Sequence, residues 1–268
     1  MFTVMALFYG DYPGLAAKLL NSLSPQTLTR DFRFGLNDVS TATAKVVNDW
    51  VDKYRGRCPI TVYQPSENAG KYPLMRVMLR DTKTALGSHI MWFDDDSYLD
   101  VKPAWWDNVA DLAVKHIQVG SVHRIKQRGR QWEMIPKQPW YRGKPVNSGT
   151  SYIFATGGWW VLRSDFVLEH DYPFPALFHN GGDSMLGELL RQHGHKPFNF
   201  VNGARCGCES CSKSKPKPKV GNGHVMINVG GRKGRRGLGR TSENYVWSNG
   251  NEPELQHQSF VLKISRWL

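Results

Sequence analysis

The sequence predicts an α/β protein whose mostly parallel central sheet carries helices on both faces. Apolar segments of strand length alternate with amphipathic helical segments through residues 1–101, which is the pattern of a doubly wound sheet. Hydrophobic content of 40% and aromatic content of 12% are sufficient for a packed core, so the composition excludes a wholly disordered chain. The third observation is the run HIMWFDDDSYLDV, in which three consecutive aspartates follow an apolar segment.

Four strands and three helices are predicted in this first part of the chain. The strands cover residues 3–9, 32–38, 59–65 and 89–93, and the helices cover residues 15–23, 40–54 and 72–86. Ser40 or Thr41 is expected to cap the second helix. Ligands of such sheets bind at the carboxyl ends of the strands, and the aspartates fall directly after the fourth strand. We therefore expect the functional site at this edge of the sheet.

The net charge of +12 is concentrated in two segments. Residues 121–147 contain seven basic residues and one acid, and residues 212–242 contain nine basic residues and no acid. The first segment interleaves its cations with Trp132, Trp140 and Tyr141, and the second includes Arg235 and Arg236. Cations that meet phosphates and rings that stack on bases are typical of nucleic-acid binding. The alternative is a solvated basic face that attracts any polyanion.

Four segments carry a resemblance to a known family. The run ENAGKYPLMRVMLRDTKTALGSHIMWFDDDSYL resembles the nucleotide-binding half of a GT-A glycosyltransferase of the family 2 type, with its Asn-x-Gly turn, helical Arg and Asp-x-Asp motif. LAAKLLNSLSPQT, YIFATGGWWVLRSDF and NGGDSMLGELLRQHGHK resemble the first helix, the acceptor-side glycine segment and the acidic helix, in that order. The resemblance implies a single GT-A domain over residues 1–268. Its parts are a nucleotide-sugar-binding half (1–101), an acceptor half (102–205), a cysteine cluster with a basic arm (206–242) and a C-terminal segment (243–268).

The resemblance also implies a nucleotide-sugar donor and a Mn²⁺ or Mg²⁺ ion held by Asp94 and Asp96. A hard cation on carboxylate oxygens would relieve the repulsion among adjacent aspartates and neutralise a diphosphate leaving group. A cluster that only caps a turn is the alternative. His224 is the expected third ligand, with His179 and His257 as competitors. The expected donor-binding residues are Tyr9, Asp11, Asn68, Gly70, Arg76 and Asp95, although Arg76 can equally be a solvated helix residue.

Asp183 matches the aspartate of the family's Glu-Asp motif and is the expected catalytic base, in an inverting reaction. Its predicted place at a helix N-terminus favours the ionised carboxylate. The sequence has Gly182 where the family often has Glu, and the alternatives are that Asp183 only caps the helix or that Glu188 is the base. Gly157, Gly158 and Trp159 are expected beneath the acceptor, unless the paired tryptophans belong to the core.

Three of the four cysteines crowd into CGCESC, where they are Cys206, Cys208 and Cys211. They can hold a structural Zn²⁺ that Cys58, His193 or His195 completes, and ordinary reduced thiols are the alternative. Crowded cysteines argue against a disulfide scaffold and for a reducing compartment. The sequence shows no signal peptide and no apolar run long enough for a membrane span. We therefore expect a cytoplasmic protein, in the host cell if it is viral.

The basic segments make a polyanionic acceptor the leading hypothesis. Sugar transfer to a hydroxymethylated pyrimidine in DNA, as bacteriophages perform to mask their genomes, combines the expected fold with the expected nucleic-acid contacts; the base would have to be flipped out of the duplex. A transferase of the same fold that acts on a glycan or a protein is the second hypothesis. The third is a nucleic-acid-binding protein with a zinc knuckle and no catalysis. The donor sugar and the oligomeric state stay open.

Overall fold

The computed structural model describes residues 1–81, 85–95, 97–99, 105–126, 135–144, 151–175, 177, 181–196, 198–199, 227–228 and 260–263. The strands are β1 (Phe2–Gly10), β2 (Thr29–Val39), β3 (Ile60–Pro65), β4 (His89–Asp94), β5 (Tyr98–Leu99), β6 (Gln118–Lys126), β7 (Ser151–Arg163), β8 (Phe198–Asn199), β9 (Ile227–Asn228) and β10 (Phe260–Lys263). The α-helices are α1 (Pro13–Ser22), α2 (Thr41–Tyr54), α3 (Lys71–Arg80), α4 (Trp105–Lys115), α5 (Ser164–Glu169) and α6 (Gly182–Gln192), and a 3-10 helix covers Ile135–Lys137. No helix in these ranges is long and apolar enough to cross a membrane.

Eight strands form one sheet in the order β10, β3, β2, β1, β4, β7, β6, β8. β3, β2, β1 and β4 are parallel neighbours. β7 runs antiparallel to both β4 and β6, β8 pairs parallel with β6, and β10 pairs antiparallel with β3. β5 and β9 form a separate antiparallel pair. The predicted mostly parallel sheet is confirmed, and the carboxyl ends of β2, β1 and β4 lie side by side.

Two apolar cores sandwich this sheet. Along β1, Val4, Ala6 and Phe8 belong to one core, whereas Met5 and Leu7 belong to the other. Successive residues of a strand point to opposite faces, so a strand that is covered on both faces is apolar throughout. Helices α1, α2 and α4 supply the first core, and α3, α5 and α6 supply the second. The expectation of helices on both faces is therefore confirmed.

The helix boundaries follow local chemistry. The side chain of Ser40 accepts a hydrogen bond from the backbone N–H of Thr43 at 3.1 Å, which confirms Ser40 as the cap of α2. The third helix ends at Arg80, earlier than the predicted residue 86. Asp81 is extended, and its carboxylate accepts a hydrogen bond from the Tyr63 hydroxyl at 2.6 Å. This contact with β3 draws the chain out of the helical path.

A buried ion pair joins β1, β2 and α3. Arg33 is fully buried, and its Nε lies 2.8 Å from Oδ2 of Asp31, which is itself 2% exposed. The other oxygen of Asp31 accepts a hydrogen bond from the Thr3 hydroxyl at 2.6 Å, and Arg33 also donates to the Met78 carbonyl. A charge removed from water is tolerable only when it is paired and hydrogen-bonded in this way.

We expect Asp31→Ala to lower the free energy of unfolding by about 3–5 kcal/mol, because it leaves the Arg33 guanidinium buried without its counter-ion. Asp49→Ala is the matched control, since Asp49 pairs with Lys45 on the surface, where the side chains are 62% and 72% exposed. The control substitution should lower the free energy of unfolding by no more than about 0.5 kcal/mol. Urea unfolding of both variants measures the difference, and equal losses would contradict the importance of the buried pair.

Candidate functional site

The carboxyl ends of β1, β2 and β4 bring polar groups to one edge of the sheet. In the strand register Tyr9 lies opposite Asn37, and Leu7 lies opposite Asp94. The backbone N–H of Tyr9 donates to the Asp95 carboxylate at 3.2 Å, and Asp95 is only 5% exposed. Asp95 therefore ties the end of β4 to the end of β1, while Asp94 is the more exposed of the two carboxylates.

Both oxygens of the Asp94 carboxylate have partners. Lys71 Nζ lies 2.8 Å from Oδ2, and the indole N–H of Trp92 donates to Oδ1 at 2.8 Å. The side chains of Lys71 and Asp94 are 17% and 25% exposed. Trp92 packs in the core that α3 and α6 supply, so the carboxylate is held on the side of the sheet where these two helices lie.

A turn built from asparagines delivers Lys71 to this position. Asn37 Nδ2 donates to Oδ1 of Asn68 at 3.0 Å, and Oδ1 of Asn37 accepts from the backbone N–H of Ala69 at 2.9 Å. Oδ1 of Asn68 also accepts from the N–H of Gly70 at 3.0 Å. Gly70 has a φ of 81°, a conformation that favours glycine, and α3 begins at the next residue, Lys71. Asn68 and Gly70 thus shape the start of α3.

Asp183 completes the charge cluster from a distant part of the sequence. Burial lowers the pKa of the Lys71 ammonium, but the carboxylates of Asp94 and Asp183 raise it by more, so the pKa stands above its usual value. Asp183 is half-buried in the first turn of α6. One lysine therefore lies within the electrostatic reach of two carboxylates that are far apart along the chain.

Tyr72 fills the space in front of α6. A Cβ atom added to Gly182 would overlap the hydroxyl and ring of Tyr72, which explains why glycine precedes Asp183 here. The Tyr72 hydroxyl accepts a backbone hydrogen bond from Gly182. Burial, followed by the charges of Asp183 and Asp94, raises the pKa of Tyr72 well above its usual range. The hydroxyl is therefore neutral at physiological pH.

Solved structures with this fold are glycosyltransferases. A mannosyltransferase from Pyrobaculum calidifontis, in complex with GDP-Man and Mn²⁺, aligns over 74% of this chain and 54% of its own, with a TM-score of 0.51 and 15% identity. GalNAc-T7 with UDP, GalNAc and Mn²⁺ aligns over 74% of this chain and 41% of its own, with a TM-score of 0.53 and 13% identity. The chain has the GT-A fold.

S. aureus TarS 1-349 matches with a TM-score of 0.47 and 20% identity, over 70% of this chain and 54% of its own. The chain spans about half the length of these three structures. No protein-family model matches the sequence, and no curated protein matches it significantly.

Two charged residues occupy positions other than those expected for the GT-A donor site and base. Arg76 is 8% exposed, and its Nη1 donates to the Pro173 carbonyl at 2.6 Å and pairs with Asp171 at 3.2 Å. Its guanidinium thus binds the segment after α5. Glu188 is fully buried, with Arg191 Nε 2.8 Å from its carboxylate. Because this pairing removes Glu188 from solvent, Asp183 is the better candidate for the base.

The tryptophans expected at the acceptor are core residues. Trp159 and Trp160 are both fully buried, and they point to opposite faces of β7 because they are consecutive in a strand. Trp140 is 3% exposed and stacks on Phe174 at 5.2 Å between ring centroids. These positions correct the expectation that Trp159 and Trp140 present a ring to the acceptor. Tyr141 is half-buried at the edge of the same core as Trp140.

Other expected site residues are placed as follows. Gly157 and Gly158 lie in β7, where Gly158 is buried, and Asp11 is exposed at the end of β1, where it accepts from the Ser40 hydroxyl at 2.6 Å. The remaining candidates lie outside the described residues: Asp96, Trp132, His179, Cys206, Cys208, Cys211, His224, Arg235, Arg236 and His257.

The described partners for a zinc ion do not share one location. Cys58 packs against the core of α1, α2 and α4, whereas His193 and His195 contact Phe166 of the opposite core. Burial, and then the charge of Asp31, raises the pKa of the Cys58 thiol to about 11, which disfavours the thiolate that a metal requires. The three alternatives for the fourth ligand therefore lie on two faces of the sheet, Cys58 on one and the two histidines on the other.

Sequence reasoning missed Lys71, Asn37 and Tyr72. Lys71 directly precedes the predicted helix of residues 72–86, and a cation at the start of a helix opposes the helix dipole, which was the available indication for this residue. Asn37 is the next-to-last residue of the second predicted strand, close to the end where ligand-side residues are expected. Nothing in the sequence pattern distinguished Tyr72 from an ordinary core aromatic.

We expect Gly182→Ala to cost about 1–3 kcal/mol of stability, because its methyl group must displace the Tyr72 ring. Gly14→Ala is the control: this helical glycine has no atom within 4 Å of an added Cβ, so the variant should be neutral or more stable by up to about 1 kcal/mol. In a Tyr72→Ala background the cost of Gly182→Ala should shrink. Urea unfolding of the full double-mutant cycle measures this coupling, and strict additivity would contradict the contact.

Proposed function

We propose that the protein is a metal-dependent glycosyltransferase that moves a sugar from a nucleotide-sugar donor to a hydroxyl acceptor. The observation that carries the proposal is the convergence of Asp94 and Asp183 on Lys71, at the carboxyl edge of a GT-A sheet. Asp94 ends a central strand, where open α/β sheets bind ligands. Asp183 begins a helix on the same side, close enough to influence the same lysine. One carboxylate on the proposed donor side and one on the proposed acceptor side, both acting on the same lysine, suit group transfer.

Carboxylate oxygens suit a hard divalent cation. Asp94 offers a partly exposed carboxylate of this type. Within the described part of the chain, no group of three or more His, Cys, Asp or Glu side chains is arranged to hold a metal ion. The remaining ligands would come from Asp96 and His224. When bound, such a cation neutralises the diphosphate leaving group as a Lewis acid.

Asp183 is the proposed general base, and the reaction is an inverting one. The positive end of α6 favours its ionised form. Asp183 would accept the proton of the acceptor hydroxyl while that oxygen bonds to the anomeric carbon and the bond from this carbon to the diphosphate breaks. Tyr72, neutral and packed against Gly182, contacts the start of α6 next to Asp183.

Asp94→Asn and Asp183→Asn separate donor binding from catalysis. With Mn²⁺ and a panel of nucleotide-sugars, Asp94→Asn should weaken donor binding, because it removes a charge that faces the cation. Asp183→Asn should retain donor affinity and lower turnover about 10²–10⁴-fold, since only the proton acceptor is lost. Isothermal titration with nucleoside diphosphate and a coupled assay of its release measure the two effects.

Asp165→Asn is the matched control for Asp183→Asn. Asp165 is also an acid in the first turn of a helix, but it is exposed and paired with Arg163. Its variant should keep both binding and turnover. Wild-type turnover in Asp183→Asn would exclude this residue as the base. Absence of donor hydrolysis and transfer with every nucleotide-sugar would overturn the proposed function itself.

For the acceptor we propose nucleic acid, specifically a hydroxymethylated pyrimidine in DNA. The support is the concentration of cations in two segments. In the described part of the first segment Lys137, Arg142 and Lys144 are exposed. This segment is attached to the end of α6, where the backbone N–H groups of Arg142 and Lys144 both donate to Gln192 Oε1 at 3.1 Å. Arg142 and Lys144 are therefore fastened to the last turn of the helix whose first turn contains Asp183.

The acceptor test compares hydroxymethylcytosine DNA with unmodified DNA and reads the nucleosides by mass spectrometry. A gain of one sugar mass only on the hydroxymethylated base is the expected result. In the double variant Lys137→Gln, Arg142→Gln, the apparent affinity for DNA should fall, and its salt slope should shrink by about 0.9 for each phosphate that the protein no longer neutralises. Lys45→Gln, which removes an exposed cation elsewhere, is the control. Donor hydrolysis without transfer to either DNA would move the acceptor to a glycan or a protein.

A further inference from the structure

Lys71 stands in a place that is unfavourable for a cation. It is the first residue of α3, where the helix dipole presents its positive end, and its side chain is only 17% exposed. Helix α3 has no acid in its first turn that would compensate. Such local conflicts are tolerated when surrounding groups offset them, and they concentrate at functional sites. The offsetting groups here are the carboxylates of Asp94 and Asp183.

Lys71 binds a carboxylate that is proposed to face the metal. Lys71 Nζ donates a hydrogen bond to Oδ2 of Asp94 at 2.8 Å, and the indole N–H of Trp92 donates to Oδ1 at 2.8 Å. An ammonium group and a hard divalent cation both bind the lone pairs of carboxylate oxygens. Lys71 and a metal ion would therefore compete for Oδ2.

Lys71 has other partners available when it leaves Asp94. A buried charge that loses its counter-ion pays a large desolvation cost. Asp183 also attracts Lys71, and a donor diphosphate would bring further negative charge to the same edge. The flexible four-carbon stem allows the ammonium to move between such partners. Lys71 should therefore leave Asp94 most easily when the metal and the nucleotide bind together, because the diphosphate then replaces the lost counter-ion.

We propose that Lys71 is an internal counter-ion that occupies Asp94 in the nucleotide-free protein and exchanges this carboxylate for Asp183 and the donor diphosphate when donor and metal bind. This inference rests on the proposed function, because it assumes that Asp94 faces the metal. Its consequence is ordered binding: Lys71 keeps the affinity for metal alone low, and the nucleoside diphosphate relieves this competition. Lys71 is a positioning residue in this scheme.

The test is the affinity for Mn²⁺, measured by electron paramagnetic resonance of free Mn²⁺ with the full chain. Wild type is compared with Lys71→Met, which keeps the length of the stem, and with the control Lys45→Met, whose lysine pairs with Asp49 on the surface. Lys71→Met should bind Mn²⁺ alone about 10-fold more tightly, as expected when a competing state is removed, whereas Lys45→Met should match wild type. Adding UDP or GDP should enhance Mn²⁺ binding in wild type more than in Lys71→Met.

Lys71→Gln provides the same comparison with a neutral hydrogen-bond donor, and it decides the question if Lys71→Met does not fold. Unchanged or weaker Mn²⁺ affinity in the folded Lys71 variants would overturn the inference, as would absence of Mn²⁺ binding in all variants. If Asp94→Asn binds Mn²⁺ like wild type while donor turnover persists, the inference fails and the proposed function stands. If Lys71→Met binds Mn²⁺ more tightly but no nucleotide-sugar is turned over, the competition between Lys71 and the metal stands, whereas the proposed function fails and with it the exchange onto a donor diphosphate.

Discussion

The burial of β4 on both faces is the constraint on which the site depends. Ile90 and Trp92 pack into the core of α3, α5 and α6, and Met91 and Phe93 pack into the opposite core. Since side chains alternate along a strand, a shift of one residue would exchange the two sets and place Asp94 on the other face. The packing of these four side chains in their respective cores therefore fixes which way the first aspartate points, before any ligand is present.

Charge balance at this edge explains how the fold tolerates its aspartates. The buried carboxylate of Asp95 accepts a hydrogen bond from the backbone N–H of Tyr9. The carboxylate of Asp94 accepts hydrogen bonds from the Lys71 ammonium and from the indole N–H of Trp92. Each described carboxylate of the run is thus satisfied by the protein itself, although by different means. A backbone N–H is a permanent partner, whereas a lysine side chain can move. The structure consequently distinguishes Asp95, which joins strands, from Asp94, which can exchange partners.

The order of strands and helices was predictable because hydrophobic periodicity reports burial directly. Asp94 and Asp183 also stood out as candidates, since one follows an apolar strand and the other begins a helix. Their partners were not predictable. Periodicity cannot show that both faces of β7 are covered where the two consecutive tryptophans lie, or that Arg76 is bound by the segment after α5. Those facts depend on contacts between residues distant in sequence, and so does the meeting of Lys71 with Asp183.

The geometry of α6 bears on the acceptor. Asp183 lies in the first turn of α6, and the segment of residues 135–144 is fastened to Gln192 at its other end. At 1.5 Å per residue the two ends of α6 are on the order of 13 Å apart, so in the proposed reaction Arg142 and Lys144 are attached at a distance from the proposed base. A small acceptor would contact only the Asp183 end. An extended polyanion can contact both ends at once, because its phosphates continue beyond the reacting residue. The cations can therefore contribute to acceptor affinity without taking part in the chemistry.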